Sequence, residues 1–163
     1  MRRQFIILIG LLLAVSGRAG DLLMKEVFRT MPDSLMPYLS ENNRLDFIDF
    51  MDSGMKAEVR NTLGGTSEMT ALTVDSLSIR MSEALRVDML LLAPSQEDTC
   101  RVVCFVQTYG TDSLSLESTV DYYTTTWQQL AVAPELSASD KRRIAALKVQ
   151  TILKRDEEMY KKN

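Results

Sequence analysis

The hydrophobic pattern of this chain changes its period near Ser67, and this change restricts the possible folds more than any other feature. Before Ser67, apolar residues recur at the spacing of amphipathic helices, whereas after it they alternate with polar residues as in half-buried strands. Only short polar interruptions separate the alternating segments, which favours antiparallel pairing because parallel strands need longer crossovers. We therefore predict an α+β domain in which N-terminal helices pack on one face of an antiparallel meander of about four to six strands.

The segment from Arg44 to Thr66 has the clearest helical pattern. Its apolar residues at helical spacing are Leu45, Ile48, Met51, Met55 and Val59. Ser40 is a candidate N-cap. Gly64-Gly65 is predicted to end this helix, since glycine supplies the left-handed conformation of a C-cap; a phosphate-binding loop would instead precede a helix. Asp52 lies four residues before Lys56, a spacing that predicts an ion pair within the helix.

Further elements are predicted on both sides of this segment. A first helix from Asp21 to Met31 should end at Pro32. The alternating segments that predict strands are residues 76–81, 85–92, 100–109 and 115–126, with a turn at residues 94–98. The capping-box sequence from Ser137 to Asp140 predicts a C-terminal helix that extends to about Lys154.

The N-terminus has the three parts of an export signal. Arg2 and Arg3 precede an apolar run from Phe5 to Val15, and small residues follow up to Ala19, after which we predict cleavage. The apolar run is shorter than the roughly 20 residues of a membrane span, so we expect no stable membrane anchor. The predicted organisation is a signal peptide (residues 1–19), a single domain (residues 20–154) and a charged tail (residues 155–163), in a periplasmic or secreted protein.

Cleavage of the signal would make the protein clearly acidic. It removes Arg2, Arg3 and Arg18, so that Lys plus Arg falls from 19 to 16 against 22 Asp plus Glu, and the net charge changes from −3 to −6. An acidic domain repels the phosphates of nucleic acids and of anionic lipids. We therefore expect neither nucleic acid nor a membrane surface as a partner.

The chain contains no histidine. Histidine is the usual general base, the commonest zinc ligand and the central member of serine and cysteine triads. Its absence, together with the absence of any catalytic motif, favours a protein that is not an enzyme. We assign no catalytic residues, no metal ligands and no cofactor.

The two cysteines of an exported protein could form a disulfide. If Cys100 and Cys104 lie on one strand, their Cα atoms are about 13 Å apart, because each strand residue adds roughly 3.3 Å. A disulfide needs Cα atoms within about 7 Å. The sequence therefore favours two free thiols, while an irregular local bridge or an intermolecular link stays an alternative.

Three aspartates recur at every third position of the predicted helix. Asp46, Asp49 and Asp52 could present carboxylates to a calcium ion or act as an acid and base pair. Three positions on one helix cannot supply the six or more oxygens that calcium prefers, so we interpret them as a solvated face.

The last predicted strand carries aromatic and hydroxyl side chains. Tyr122, Tyr123 and Trp127 could form a surface that binds a sugar or a peptide, although such residues are more commonly cross-strand packing pairs. They are the first candidates for a binding surface.

A set of short sequence segments spans most of the chain. The segments are Met31-Pro32-Asp33-Ser34-Leu35, Arg44-Leu45-Asp46-Phe47-Ile48-Asp49-Phe50, Met55-Lys56-Ala57, Gly65-Thr66-Ser67, Leu72-Thr73, and Tyr123-Thr124-Thr125 with Trp127. Together they resemble a family of small exported Bacteroidota proteins classed as domain of unknown function 3256. The resemblance implies export in a diderm bacterium and no known catalysis. The family usually continues past Trp127 with strand-like sequence, whereas this chain passes quickly to a charged, helix-like end.

Two function hypotheses follow. The first is a non-enzymatic exported module that binds a protein or an envelope component through its sheet or its aromatic strand. The alternative is a metal-dependent or hydrolytic enzyme that uses the helix face of Asp46, Asp49 and Asp52.

Overall fold

The computed structural model describes residues 22–93, 100–111 and 115–147 of the chain. The helices are α1 (Met24–Arg29), a short 3-10 helix (Asp33–Leu35), α2 (Glu41–Asp52) and α3 (residues 138–147). The strands are β1 (Ala57–Arg60), β2 (Thr66–Leu72), β3 (Ser76–Arg80), β4 (Leu85–Leu92), β5 (Val102–Tyr109) and β6 (Glu117–Thr124). The predicted signal peptide, the turn at 94–98 and the charged tail lie outside the described residues.

The strands form one antiparallel sheet in the order of the sequence. The six strands are ordered β1-β2-β3-β4-β5-β6, and every neighbouring pair is antiparallel. Short connections favour this order because each strand then lies next to the one that precedes it in the sequence. The predicted α+β class, the meander and the upper end of the predicted strand number are all confirmed.

The N-terminal helices cover one face of the sheet, as predicted. Phe28 of α1 and Phe47 of α2 are fully buried, and they share one apolar core with Ile79 of β3 and Met89 of β4. Ser40 caps α2: its hydroxyl accepts a hydrogen bond from the Asn43 amide at 3.2 Å.

The C-terminal helix α3 covers the other face of the sheet. Leu90, Leu92, Cys104 and Val106 form a second apolar cluster, against which Leu136, Ile144 and Leu147 pack. The predicted capping box is present, since the Asp140 amide donates to the Ser137 hydroxyl at 3.0 Å. With a helix layer on each face, β4 is buried at seven of its eight residues.

The prediction of one helix from Arg44 to the glycine pair is wrong. Helix α2 ends at Asp52, Gly54 has a φ of +68°, and Ala57 begins strand β1. Met55 and Val59 are four residues apart, a separation that puts two side chains on one face of a strand as well as of a helix. Gly64 does adopt the expected positive φ, at +80°, but it lies in the turn between β1 and β2.

The ion pair predicted between Asp52 and Lys56 is also wrong, because the helix ends between them. Asp52 accepts a hydrogen bond from Lys25 of α1 at 3.0 Å, which joins the two N-terminal helices. Lys56 pairs with Glu58 of β1. Both pairs are exposed, so each stabilises the fold only slightly.

Candidate functional site

The three aromatic residues proposed as a binding surface lie on opposite faces of the sheet. Tyr123 is 7% exposed and points into the main core, where its ring meets Phe105 edge-on with centroids 6.1 Å apart. Tyr122 points to the second face and packs, half-buried, against the cluster under α3. Adjacent strand residues face opposite ways, so Tyr122 and Tyr123 cannot share a surface.

Trp127 anchors the end of β6 to helix α1. It is 8% exposed, and its indole N–H donates to the carbonyl of Val27 at 3.0 Å across 100 residues of sequence. Its φ of +66° is unusual for a residue other than glycine, and the packing of the indole holds it there. Of the three aromatic residues, therefore, only Tyr122 is accessible enough to contribute to a binding surface.

A concavity lies beside strand β6, at the point where Tyr122 is accessible. Its volume is about 510 Å³. The lining residues are Val120, Asp121, Tyr122, Gln129, Leu130, Ala131 and Ala133. Gln129 and Leu130 carry no strand-like alternation, so sequence reasoning missed them; the small Ala131 and Ala133 near Tyr122 are the only hint that it offers.

The chain after Trp127 folds back along the outer side of β6. The Thr124 amide donates to the Gln128 carbonyl at 2.8 Å, and the Leu130 amide donates to the Tyr122 carbonyl at 2.8 Å. This single antiparallel bridge pairs Tyr123 with Gln129. Residues 128–130 are thus a very short addition to the edge of the sheet.

The groups at this edge are neutral phenols and carboxylates. Burial raises the pKa of the Tyr122 phenol, and the adjacent Cys104 raises it further. Burial and then Asp121 raise the pKa of Tyr123. Both phenols are therefore protonated at neutral pH and cannot act as bases. Asp121 accepts one hydrogen bond, from Gln129 Nε2 at 3.2 Å, and its carboxylate can accept others from a ligand.

The aspartates of α2 are exposed, as predicted. Asp46 and Asp49 face solvent, and Asp52 pairs with Lys25. Among the residues that the structure describes, no group of three His, Cys, Asp or Glu side chains is arranged to hold a metal ion.

Both cysteines are free, as the sequence favoured. Cys100 is exposed and precedes β5, whereas Cys104 lies buried on β5. Burial raises the pKa of the Cys104 thiol to about 12. This thiol is therefore an inert packing group in the folded protein.

A buried charged pair lies on the second face of the sheet. Arg86 Nε donates to Asp88 Oδ1 and Oδ2 at 3.2 and 3.0 Å, and Ser78 on the neighbouring strand also donates to Asp88. Asp88 is only 1% exposed. Because these charges satisfy each other in the interior, we assign them a structural role.

Helix α2 carries a second buried cation at its start. Arg44 is 3% exposed and donates to the Asp33 carboxylate at 2.6 Å and to the Leu39 carbonyl at 3.1 Å. These bonds hold the 3-10 helix against α2.

In the part of the chain that the structure describes, no helix has the length and apolar character needed to span a membrane.

Comparison with known proteins gives a family and a fold. A family model described as "Protein of unknown function (DUF3256)" matches residues 16–159. A solved structure of a domain of an uncharacterized protein from Porphyromonas gingivalis W83 is 28% identical, with a TM-score of 0.55 over 70% of this chain. The match covers 55% of that solved chain. The comparison with curated protein sequences gave no significant match.

Proposed function

Because this chain belongs to the DUF3256 family of proteins of unknown function, we propose a function from its own geometry: an exported, non-enzymatic module that binds a protein or an envelope component at strand β6. Export follows from the predicted signal at residues 1–19. The absence of histidine from the sequence supports a role without catalysis.

One observation carries this proposal. The concavity of about 510 Å³ lies against the edge strand β6 and combines the half-buried ring of Tyr122 with the acceptor oxygens of Asp121. A concave surface that places a few polar groups beside an aromatic ring has the form of many binding sites. The opposite edge strand, β1, is closed in part by α2, since Asn43 Nδ2 donates to the Arg60 carbonyl at 3.4 Å.

Photo-crosslinking in the producing cells tests the binding role. A photoreactive amino acid at Thr119, which is exposed on β6, should give a discrete crosslinked product that is larger than the protein itself. The matched control places the same amino acid at Asp46, which is exposed on α2. No product from Thr119, or the same product from both positions, would contradict the proposal.

The enzymatic alternative, with Asp46, Asp49 and Asp52 as metal ligands or as an acid and base pair, stays a prediction with a test of its own. A ligand that binds only the native state must raise the melting temperature. On the solvated-face interpretation, calcium leaves the melting temperature unchanged, and Asp49→Asn melts like the wild type. A calcium-dependent rise that Asp49→Asn abolishes would favour the alternative.

A further inference from the structure

The described residues pair with the outer side of β6 along only part of its length. Residues 128–130 bond to it at Tyr122 and Thr124 and go no further. The next residues, Ala131 and Val132, bend away, and Leu136 joins the cluster on the second face. A strand that continued along β6 would have run past Val120 and Ser118, where no segment of residues 22–93, 100–111 or 115–147 pairs with β6.

The backbone groups at this open part of the edge point away from the sheet. In an antiparallel strand, alternate residues direct both their N–H and their C=O to the same side. Tyr122 and Thr124 bond outward to residues 128–130, so Val120 and Ser118 also direct their backbone groups outward. These groups are the hydrogen-bonding template that an added strand would use.

Space for such a strand opens beside Val120. The concavity beside Val120, Asp121 and Tyr122 is bounded by residues 129–131 and 133, where the chain leaves the edge. β6, the strand with which it would pair, is eight residues long. An added segment would thus lie beside β6 where the chain itself bends away at Ala131.

Charge decides which kind of segment fits. Glu117 and Asp121 lie on the same side of β6, with the exposed Thr119 between them. If a second copy paired antiparallel through β6 about Thr119, each Glu117 would lie opposite an Asp121, and like charges placed opposite each other are destabilising. An extended segment with lysine or arginine at alternate positions would instead oppose each carboxylate with a cation.

We propose that the open edge of β6 at Ser118 and Val120 accepts an extended, cationic polypeptide segment as an additional strand of the sheet. This inference rests on the proposed binding function and specifies its mode and its partner: a protein segment, recognised by its backbone and by alternating positive charge. The backbone bonds supply affinity, and Glu117 and Asp121 select the charge.

Three synthetic peptides of about eight residues, a strand's length, test the mode by fluorescence anisotropy. The first alternates lysine with threonine or valine, the second has glutamate in place of lysine, and the third repeats the first with alternate backbone amides methylated. We expect the lysine peptide to bind at least about tenfold more tightly than the other two, and to weaken with salt. Equal binding of the methylated and unmethylated lysine peptides would overturn strand addition.

Two variants test the site. Ser118→Pro removes an outward N–H without removing a backbone bond to β5, and should weaken the lysine peptide at least about tenfold. It also removes the hydroxyl bond of 3.1 Å between Ser118 and Thr108 of β5, so Ser118→Ala, which removes that bond alone, is its control and should bind the peptide like the wild type. Glu117→Lys with Asp121→Lys should reverse the preference, so that the glutamate peptide binds more tightly. The matched control, Asp46→Lys with Asp49→Lys, changes the net charge equally on α2 and should leave the preference as in the wild type. Equal effects of the two charge reversals would overturn the site.

The result separates the inference from the function on which it rests. If Ser118→Pro retains both peptide binding and the crosslinked product from Thr119, the protein binds a partner by another mode and the inference fails alone. If the peptides bind as expected but the cells yield no crosslinked product, the edge of β6 can accept an added strand, but the proposed function fails. Self-association abolished by Ser118→Pro would identify a second copy as the occupant and overturn the cationic segment.

Discussion

Trp127 is the residue on which the junction between the sheet and α1 most depends. Its indole fills the core beside Tyr123, with ring centroids 6.0 Å apart, and bonds to the Val27 carbonyl. Trp127→Ala should lower the free energy of unfolding by about 3–5 kcal/mol, since it leaves a large cavity. Trp127→Phe keeps most of the ring and should cost about 1–2 kcal/mol, because the Val27 carbonyl still accepts from Thr30.

Urea denaturation measures both changes. Val132→Ala is the control, because Val132 is 79% exposed and should be nearly neutral. A Trp127→Ala protein as stable as this control would show that the indole is not packed as described. The same result would restore Trp127 as a candidate for direct contact with a partner.

The two cysteines should differ sharply in reactivity. Cys100 is exposed, whereas burial raises the pKa of Cys104 to about 12. Iodoacetamide attacks thiolates, so mass spectrometry of the native protein near pH 8 should find label at Cys100 only, and at both after denaturation. Labelling of Cys104 at the rate of Cys100 would contradict its burial.

The same pKa makes stability depend on pH in a defined direction. The folded state holds the Cys104 proton more tightly than the unfolded state, whose pKa is near 9.0. The contribution of Cys104 to the free energy of unfolding is therefore fully present below the unfolded-state pKa. It is lost as the pH rises towards 12.

At the scale of elements, the β1–β2 hairpin depends on Asn61. Its carboxamide oxygen accepts from the amides of Leu63 and Gly65 at 3.1 and 3.0 Å, and its nitrogen donates to Ser67 Oγ at 3.1 Å and to the Met81 carbonyl at 3.3 Å. Asn61→Ala removes all four bonds and should destabilise the protein by about 2–3 kcal/mol.

Chemical denaturation of Asn61→Ala beside Leu63→Ala provides the comparison. Leu63 lies in the same turn but is 74% exposed, so its replacement should cost less than about 0.5 kcal/mol. Equal stability of the two variants would mean that the hairpin is held by strand pairing alone.

The hairpin also shows why one element was predicted wrongly. Met55 and Val59 fit a helix by their spacing, and glycines after them fit a helix stop. What turned residues 57–60 into a strand is the pairing of Ala57 with Met69 and of Arg60 with Thr66. Such pairing lies outside any local window, so periodicity alone could not distinguish the two elements.

At the scale of the whole molecule, α3 covers the second face of the sheet. Its Arg143 donates to Asp75 in the β2–β3 turn at 2.7 Å, and Ile144 packs on the apolar cluster that contains Cys104. Ile144→Asp should release α3, because a charge against that cluster would be left without a partner. The main core, on the opposite face, should remain folded.

Thiol labelling reports this release. Ile144→Asp should raise the rate of Cys104 alkylation at least about tenfold, since the thiol loses its cover. Ala145→Asp, one residue further on and exposed, is the matched control and should leave the rate unchanged. Equal rates in both variants would show that α3 does not shield Cys104.

The candidate site was only partly accessible to sequence reasoning. The sequence predicted the strand that carries Tyr122 and Tyr123, because alternation and β-branched residues are local signals. It could not predict that Trp127 would be buried against α1, or that residues 128–130 would pair with β6. Both depend on contacts between segments far apart in the chain.

The sequence by itself determined the change from helices to strands, the antiparallel meander, the capping of α2 and α3, and the absence of the chemistry that histidine supplies. These follow from local periodicity, from connection length and from composition. The tertiary structure alone decided where α2 ends and β1 begins, which face α3 covers, and which part of the β6 edge the described residues leave unpaired. The physical reason is that pairing and burial are set by distant partners, whose positions no local pattern contains.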